Sequence, residues 1–361
     1  MKKFLTAAAL LLILCLMTAW ASSGDAGDPL ISLSYLEGTF SQSLDPMIGS
    51  RLDAADGEVR DSVQKHLSSL TATPEGPAAA GNTTLKEGDV LSGSTGLTFT
   101  PLEGAVRLSG GTAVDVTAGR EAGPGLLEVG HRYVVAENAS VEFTVSSPAA
   151  VVSWTGGSVL TLSSQLDYYA IAKALRSLDL FRGSGSGVGE GFGLHLAPTR
   201  GEGLVMFIRI LGEEAEALAC TDGHPFTDVP GWLDPYVAWA YRQGYSNGVS
   251  ATEFDPDAPI AAAEYQELLL RALGYSAAGT DDYSTSLERA LDCGALRESE
   301  YALLTGRSFL RAHVVYLSCY SLDMTLSGTS QTLGQRMVDG GVLTGEQLAS
   351  ARALTETLRL T

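Results

Sequence analysis

The sequence predicts a multidomain α+β chain: an N-terminal helical segment, a small all-β domain of sandwich or roll type, and a C-terminal all-α repeat domain. Three observations carry that expectation. Residues 83–162 hold short alternating apolar runs separated by glycine and proline turns, the mark of many short strands. The stretches before and after them have apolar spacings near four and seven, the helical period. Finally, Ala-Pro-Thr-Arg-Gly-Glu at 197–202 leads a helix ending at Gly212, and Ala-Pro-Ile-Ala-Ala-Ala-Glu at 258–264 leads one ending at Gly274. Glu202 with Glu264, Arg209 with Arg271 and Gly212 with Gly274 all share one offset of 62 residues. A fixed offset with matched caps and apolar positions signals repeats that stack.

Lys2 and Lys3, the apolar run Ala7–Met17 and the small-x-small triplet ending at Ala21 read as an export signal over 1–21,. Cys15 lacks the small residues before it that a lipoprotein site would have. In 22–70 an acidic lead is followed by Ile48, Leu52, Val59, Val63 and Leu67, a narrow helical stripe that fits a helix lying on its neighbour or a short coiled coil. Residues 71–82, with Pro74, Gly76, Pro77 and Gly81, form a linker,. The β-rich domain spans 83–164. Its strands are expected at 97–100, 105–108, 113–117, 132–135, 141–145 and 150–154.

Composition narrows the function. The 361 residues are 45% hydrophobic and 18% charged, with a net charge of −19 that becomes −21 once Lys2 and Lys3 leave with the signal. Such a chain repels nucleic acid and anionic lipid unless a basic patch intervenes, and the sequence has no Lys/Arg cluster to supply one. No apolar segment after the signal is long enough to span a membrane. Cys220, Cys293 and Cys319 are too few for a disulfide scaffold and lack metal spacing. They read as buried thiols, with pairing of Cys293 and Cys319 left open. In the β-domain His131 has Glu128 and Glu137 nearby, but alternating strands need not bring them together. No catalytic, metal or cofactor constellation is expected.

From 165 to the end the helical period returns as three units, about 165–218, 224–276 and 281–325, plus C-terminal helices near 331–338 and 344–358. In the first, Tyr169, Ala172, Leu175 and Leu178 face one way. Pro198 is placed in the first turn of the next helix, with Thr199 as a cap and Leu204, Phe207, Ile208 and Leu211 as the buried face. In the second, Phe226-Thr-Asp-Val and Trp232 precede a helix at 234–243, and Phe254-Asp-Pro precedes a helix at 262–273. Gly248 corresponds to Gly183. The third is degenerate, with helices at 287–293 and within 308–319.

These residues resemble the S-layer homology (SLH) family: Phe226, Asp228, Val229, Trp232, Gly244, Gly248, Phe254, Pro256, and helix starts of the Thr-Arg-Ala-Glu type at Thr199–Glu202 and Ala261–Glu264. The resemblance implies a pseudo-threefold helical domain whose inter-repeat grooves bind a secondary cell-wall polysaccharide carrying a pyruvate ketal. It would place Thr199, Arg200, Glu202, Asp228, Trp232, Gly248 and Arg311 at or near the ligand. A guanidinium fork suits a carboxylate, and free N–H groups at a helix start favour an anion. Trp232 would cover a sugar face or pack in the core. Arg200 would bind ligand or bridge to Glu202 or another acidic neighbour.

The departures are specific. The second unit reads Ala261-Ala262-Ala263-Glu264, without arginine, and the third Leu310-Arg311-Ala312-His313, without glutamate. One well-equipped groove, centred on Arg200, is therefore expected. The expected function is non-enzymatic, non-covalent attachment of an exported protein to peptidoglycan-associated wall polymer, with the β-domain displayed outward. Two alternatives stay open: a scaffold binding other surface proteins, and a wall-polymer hydrolase targeted by the repeats.

Overall fold

The computed structural model describes residues 82–136, 139–183, 191–276 and 283–360. The expected signal, N-terminal helix and linker, together with Glu137, lie outside the described residues. The described residues all belong to one compact unit, 74–361. This unit is a mixed α+β structure.

Among the described residues eleven strands, all paired antiparallel, make two sheets. The six-stranded sheet runs β1 (Thr83–Lys86), β10 (Ala149–Thr155), β3 (Thr98–Glu103), β8 (Tyr133–Val134), β5 (Ala113–Asp115), β6 (Arg120–Ala122). The five-stranded sheet runs β11 (Ser158–Thr161), β2 (Val90–Ser94), β9 (Ser140–Val145), β4 (Val106–Gly110), β7 (Gly125–Leu126). Period-two alternation sends Phe99 inward from one sheet and Phe143 from the other, and their rings stack at 4.2 Å,. Leu91, Leu97, Val106, Leu108, Tyr133, Val152 and Trp154 complete this core. Strands β1, β2, β6, β7 and β11 go beyond the sequence expectation, and four of these are sheet edges.

Among the described residues ten α-helices follow: α1 (Tyr168–Ser177), α2 (Arg200–Ile210), α3 (Glu214–Leu218), α4 (Asp234–Arg242), α5 (Ala262–Ala272), α6 (Ser286–Asp292), α7 (Glu298–Gly306), α8 (Arg311–Ser321), α9 (Leu333–Asp339) and α10 (Gly345–Thr355). Helices α3 and α7 are additions to the sequence reading. Thr199 is the N-cap of α2, so Pro198 precedes the cap rather than sitting in the first turn. Helix α2 has no polar face of the expected kind: Arg200, Gly201 and nearly every residue from Gly203 to Ile210 are buried. The reason is its position, since α2, α5 and α8 pack against one another at the centre of the helical part. Small residues permit this closeness. A Cβ at Gly201 would lie 2.8 Å from Leu233, and one at Gly203 3.0 Å from Ile260.

The sheets and helices are fastened together. Ala149 of β10 belongs to the helical core. The Lys86 ammonium bonds Asp89 and Ser163, and Arg307 after α7 faces Glu87. Glu103, at the end of β3, is buried and accepts the Gly193 N–H at 2.7 Å from the loop before α2. The β-rich part is thus packed on the helical part rather than held at a distance. All three described cysteines are free thiols, so Cys293 and Cys319 do not pair, and burial pushes the Cys319 thiol up to about 12,.

Candidate functional site

The site grows from the start of α2. Thr199 Oγ1 accepts the Glu202 N–H at 3.2 Å, and Glu202 Oε2 accepts the Thr199 N–H at 3.1 Å. This is a complete capping box. The next two donors are also taken. Arg200 N–H donates to Ala258 O at 2.8 Å and Gly201 N–H to Pro256 O at 3.0 Å, both in the loop before α5. The start of α8 repeats the arrangement one unit away: Arg311 N–H donates to Leu196 O at 2.8 Å and Ala312 N–H to Leu194 O at 3.1 Å. Leu194 and Leu196 stand to Pro256 and Ala258 at the same 62-residue offset. These helix starts are docking points for distant loops. The expectation that they offer free N–H groups to an anion is not met, because neighbouring carbonyls already satisfy the orphan donors.

The arginines are similarly engaged. Arg200, 9% exposed, donates from Nε to Phe254 O at 3.0 Å, lies over the Phe254 ring, and forms an ion pair through Nη1 with Glu264 Oε1. Its partner is Glu264, not Glu202. Glu264 also caps its own helix, with Oε2 accepting the Ala261 N–H at 2.8 Å. Glu202 pairs instead with Arg311, whose Nη1 lies 3.4 Å from Oε2. The Arg311 side chain is buried over Phe181, and its Nε has no partner among the described residues. Burial pushes its pKa down, opposed by Glu202,.

Between α2 and α5 the Arg200–Glu264 pair forms part of the wall of a narrow cleft, with about 20 Å³ of open space, shared with Tyr245, Ser246, Phe254 and Tyr283. The structure brings Thr199, Arg200, Glu202 and Arg311 into one chain of contacts through Glu264 and Glu202. The other sequence-selected residues stand apart from it. Asp228 accepts the N–H groups of Phe254 at 2.9 Å and Asp255 at 2.7 Å, so both oxygens hold the loop that Arg200 docks on. Burial opposes ionisation of Asp228, but these backbone bonds outweigh it and lower its pKa. Gly248 has φ +77°, and a Cβ there would meet the Phe226 ring at 2.3 Å and Glu253 O at 2.6 Å, which makes its role conformational. Trp232 is 61% exposed, so it is not core; the buried tryptophan of this unit is Trp239.

Two participants escape the sequence reading. Glu264 is visible there as a repeat position but not as the counter-charge of Arg200. A buried guanidinium needs such a partner, and the 62-residue offset points to it. His313 stands where the third unit lacks glutamate, yet it does the capping work: its Nδ1 accepts the Leu310 N–H at 3.0 Å.

Residues 225–261 match the S-layer homology domain. The chain carries an SLH domain. The match takes in Phe226, Asp228, Trp232, Gly248 and Phe254 and ends at the N-cap of α5, leaving Arg200 and Arg311 outside it. A "Cell surface protein" of Thermoanaerobacter kivui is 33% identical over 94 residues, 25% of this chain and 12% of that protein. The chain therefore spans only a small part of that relative. Among solved structures, recombinant pro-11S globulin of pumpkin and pumpkin seed globulin each overlap 26% of this chain. The overlap takes in 27% and 28% of their own chains at 13% and 14% identity, both with a TM-score of 0.16.

Proposed function

We propose that this protein is exported and attaches non-covalently to the bacterial cell wall, the SLH domain and its flanking units binding an anionic, pyruvylated wall polysaccharide. The units are taken to be three SLH-like repeats, with α2, α5 and α8 as the central helices of a pseudo-threefold domain. The observation that carries the reading is Arg200: a guanidinium lining an inter-unit cleft with two tyrosines, beside a half-buried glutamate. The cleft is narrow, so an incoming carboxylate would have to displace Glu264 from that fork, whose planar donors suit a carboxylate,. Exposed Trp232 offers an aromatic face to a sugar. The β-rich part rides on the anchor, and the protein acts as an adhesive element rather than an enzyme.

A second reading has its own support. Both arginines are already ion-paired, and the helix-start N–H groups are spent on neighbouring carbonyls. Those are the traits of a scaffold that contacts other surface proteins. Co-sedimentation of the full chain with purified sacculi separates the two. The anchor reading expects pelleting that needs the polysaccharide, weakens with salt, and falls in Arg200→Ala under conditions where circular dichroism shows the variant folded. Absence of pelleting with intact wall favours the scaffold.

A further inference from the structure

The geometry points to a binding site for a divalent transition ion of the zinc class in the β-rich part, formed by Asp115, Glu128 and His131. It does not depend on wall attachment. Asp115 closes β5 with its carboxylate buried. Its Oδ1 accepts the N–H groups of Thr117 and Ala118, each at 3.0 Å, and this turn aims Oδ2 at His131 Nδ1, 2.9 Å away. His131 arrives from the loop ahead of β8, where Gly130 N–H donates to Pro101 O at 2.7 Å and Arg132 N–H to Thr117 Oγ1 at 2.9 Å. Glu128 is fixed by its backbone N–H, which donates to the Tyr133 hydroxyl at 2.9 Å. Its Oε1 pairs with Arg120, while Oε2 lies 3.4 Å from His131 Nε2.

One donor atom from each of the three residues lies within 4.8 Å of the others. Bonds of about 2.0–2.2 Å in a tetrahedron separate donors by roughly 3.3 Å, so the Glu128 carboxylate, which lies beside Nε2, has to turn toward the Nδ1 side of the ring to complete the set. The ion takes the place of the proton between Asp115 Oδ2 and His131 Nδ1. Half-exposed Glu128 swings to supply the third ligand, leaving a fourth position open to solvent. One imidazole and two carboxylates suit a zinc-class ion, whereas calcium requires six to eight oxygens. Two carboxylates against Arg120 leave a local charge favourable to a cation, and Asp115 and the loop hold the imidazole before any ion arrives.

The competing explanation is a closed hydrogen-bond network that only ties the loop to β5. Equilibrium dialysis of the full chain against Zn²⁺, with Co²⁺ visible absorption as a second readout, decides between them. The site expects about one retained equivalent, abolished in His131→Ala and weakened about tenfold or more in Glu128→Gln. His224→Ala, which removes a histidine elsewhere, should retain the ion. Glu128 is exposed, so its variant tests the ligand role with the buried turn intact. No retained ion in the unaltered chain, or equal retention in His131→Ala, overturns the inference.

Discussion

The junction at Arg200 and the helix start at His313 solve one problem with different chemistry. At the first, a guanidinium at one helix start meets the capping glutamate of another, Arg200 with Glu264, and Arg311 with Glu202 repeats the scheme. By the same register the third pairing would join positions 262 and 313, and there the chain has alanine and histidine. Arginine and glutamate are missing from the same pairing. A glutamate at 313 without its arginine would be a buried, uncompensated charge. Neutral His313 instead keeps the cap through Nδ1 and packs its ring 5.8 Å from both Tyr168 and Phe309. A charged clamp and an aromatic plug are alternative closures of equivalent positions.

The sharpest way to break this comparison is to remove one side of the clamp. Arg200→Ala leaves Glu264 and the Phe254 carbonyl without their partner and is expected to cost on the order of 3 kcal/mol, measured by denaturant unfolding. A loss below about 0.5 kcal/mol would mean that the pair is not structural. At the plug, acid should do what mutation does at the clamp. Burial holds the His313 pKa at about 4, below an unfolded value near 6.5. Stability from neutral His313 is therefore full above the unfolded value and declines as pH falls from there toward about 4. The whole window is worth on the order of 3 kcal/mol. His313→Gln preserves an acceptor for Leu310 N–H, so it should flatten this part of the stability–pH curve. An unchanged slope would place the acid sensitivity elsewhere.

The loop that Arg200 docks on offers a smaller effect. Gly248→Ala forces a side chain into left-handed backbone against Phe226 and Glu253 O, at a cost of about 1–3 kcal/mol. A variant with an unchanged melting temperature would remove Gly248 from the account. Smallest of all, Trp232→Ala should alter stability by no more than about 0.5 kcal/mol, since surface changes rarely do more. If it nonetheless lowers pelleting with sacculi, the exposed ring belongs to the binding surface. If pelleting is unchanged, the groove works without it.

Legibility in the sequence tracks how local the cause is. The interior strands around Phe99, Leu108 and Phe143 can be read because one buried face imposes alternation, and β10 because Ala149–Val152 form a continuous buried run; β2 is the exception. The edge strands cannot. β6 has no buried residue and β11 is almost wholly exposed, so neither carries a pattern. The helix ends at Gly212 and Gly274 are readable because each takes up left-handed backbone, φ +74° and +81°, where glycine is favoured. The all-round burial of α2 is not. It comes from the four helices packed around it, α3, α4, α5 and α8, whose approach leaves no period in the sequence of α2 itself.

By itself, then, the sequence determined the mixed α+β class, the repeat offset, the Thr199 cap and the SLH resemblance. These rest on contacts between residues a few positions apart, or on a pattern copied along the chain. Only the tertiary structure decided that Arg200 answers Glu264, that carbonyls of distant loops consume the first donors of α2 and α8, and that Asp115 joins Glu128 beside His131. Each of these is a contact between distant segments, fixed by the need to satisfy buried charges and polar groups once the segments have packed.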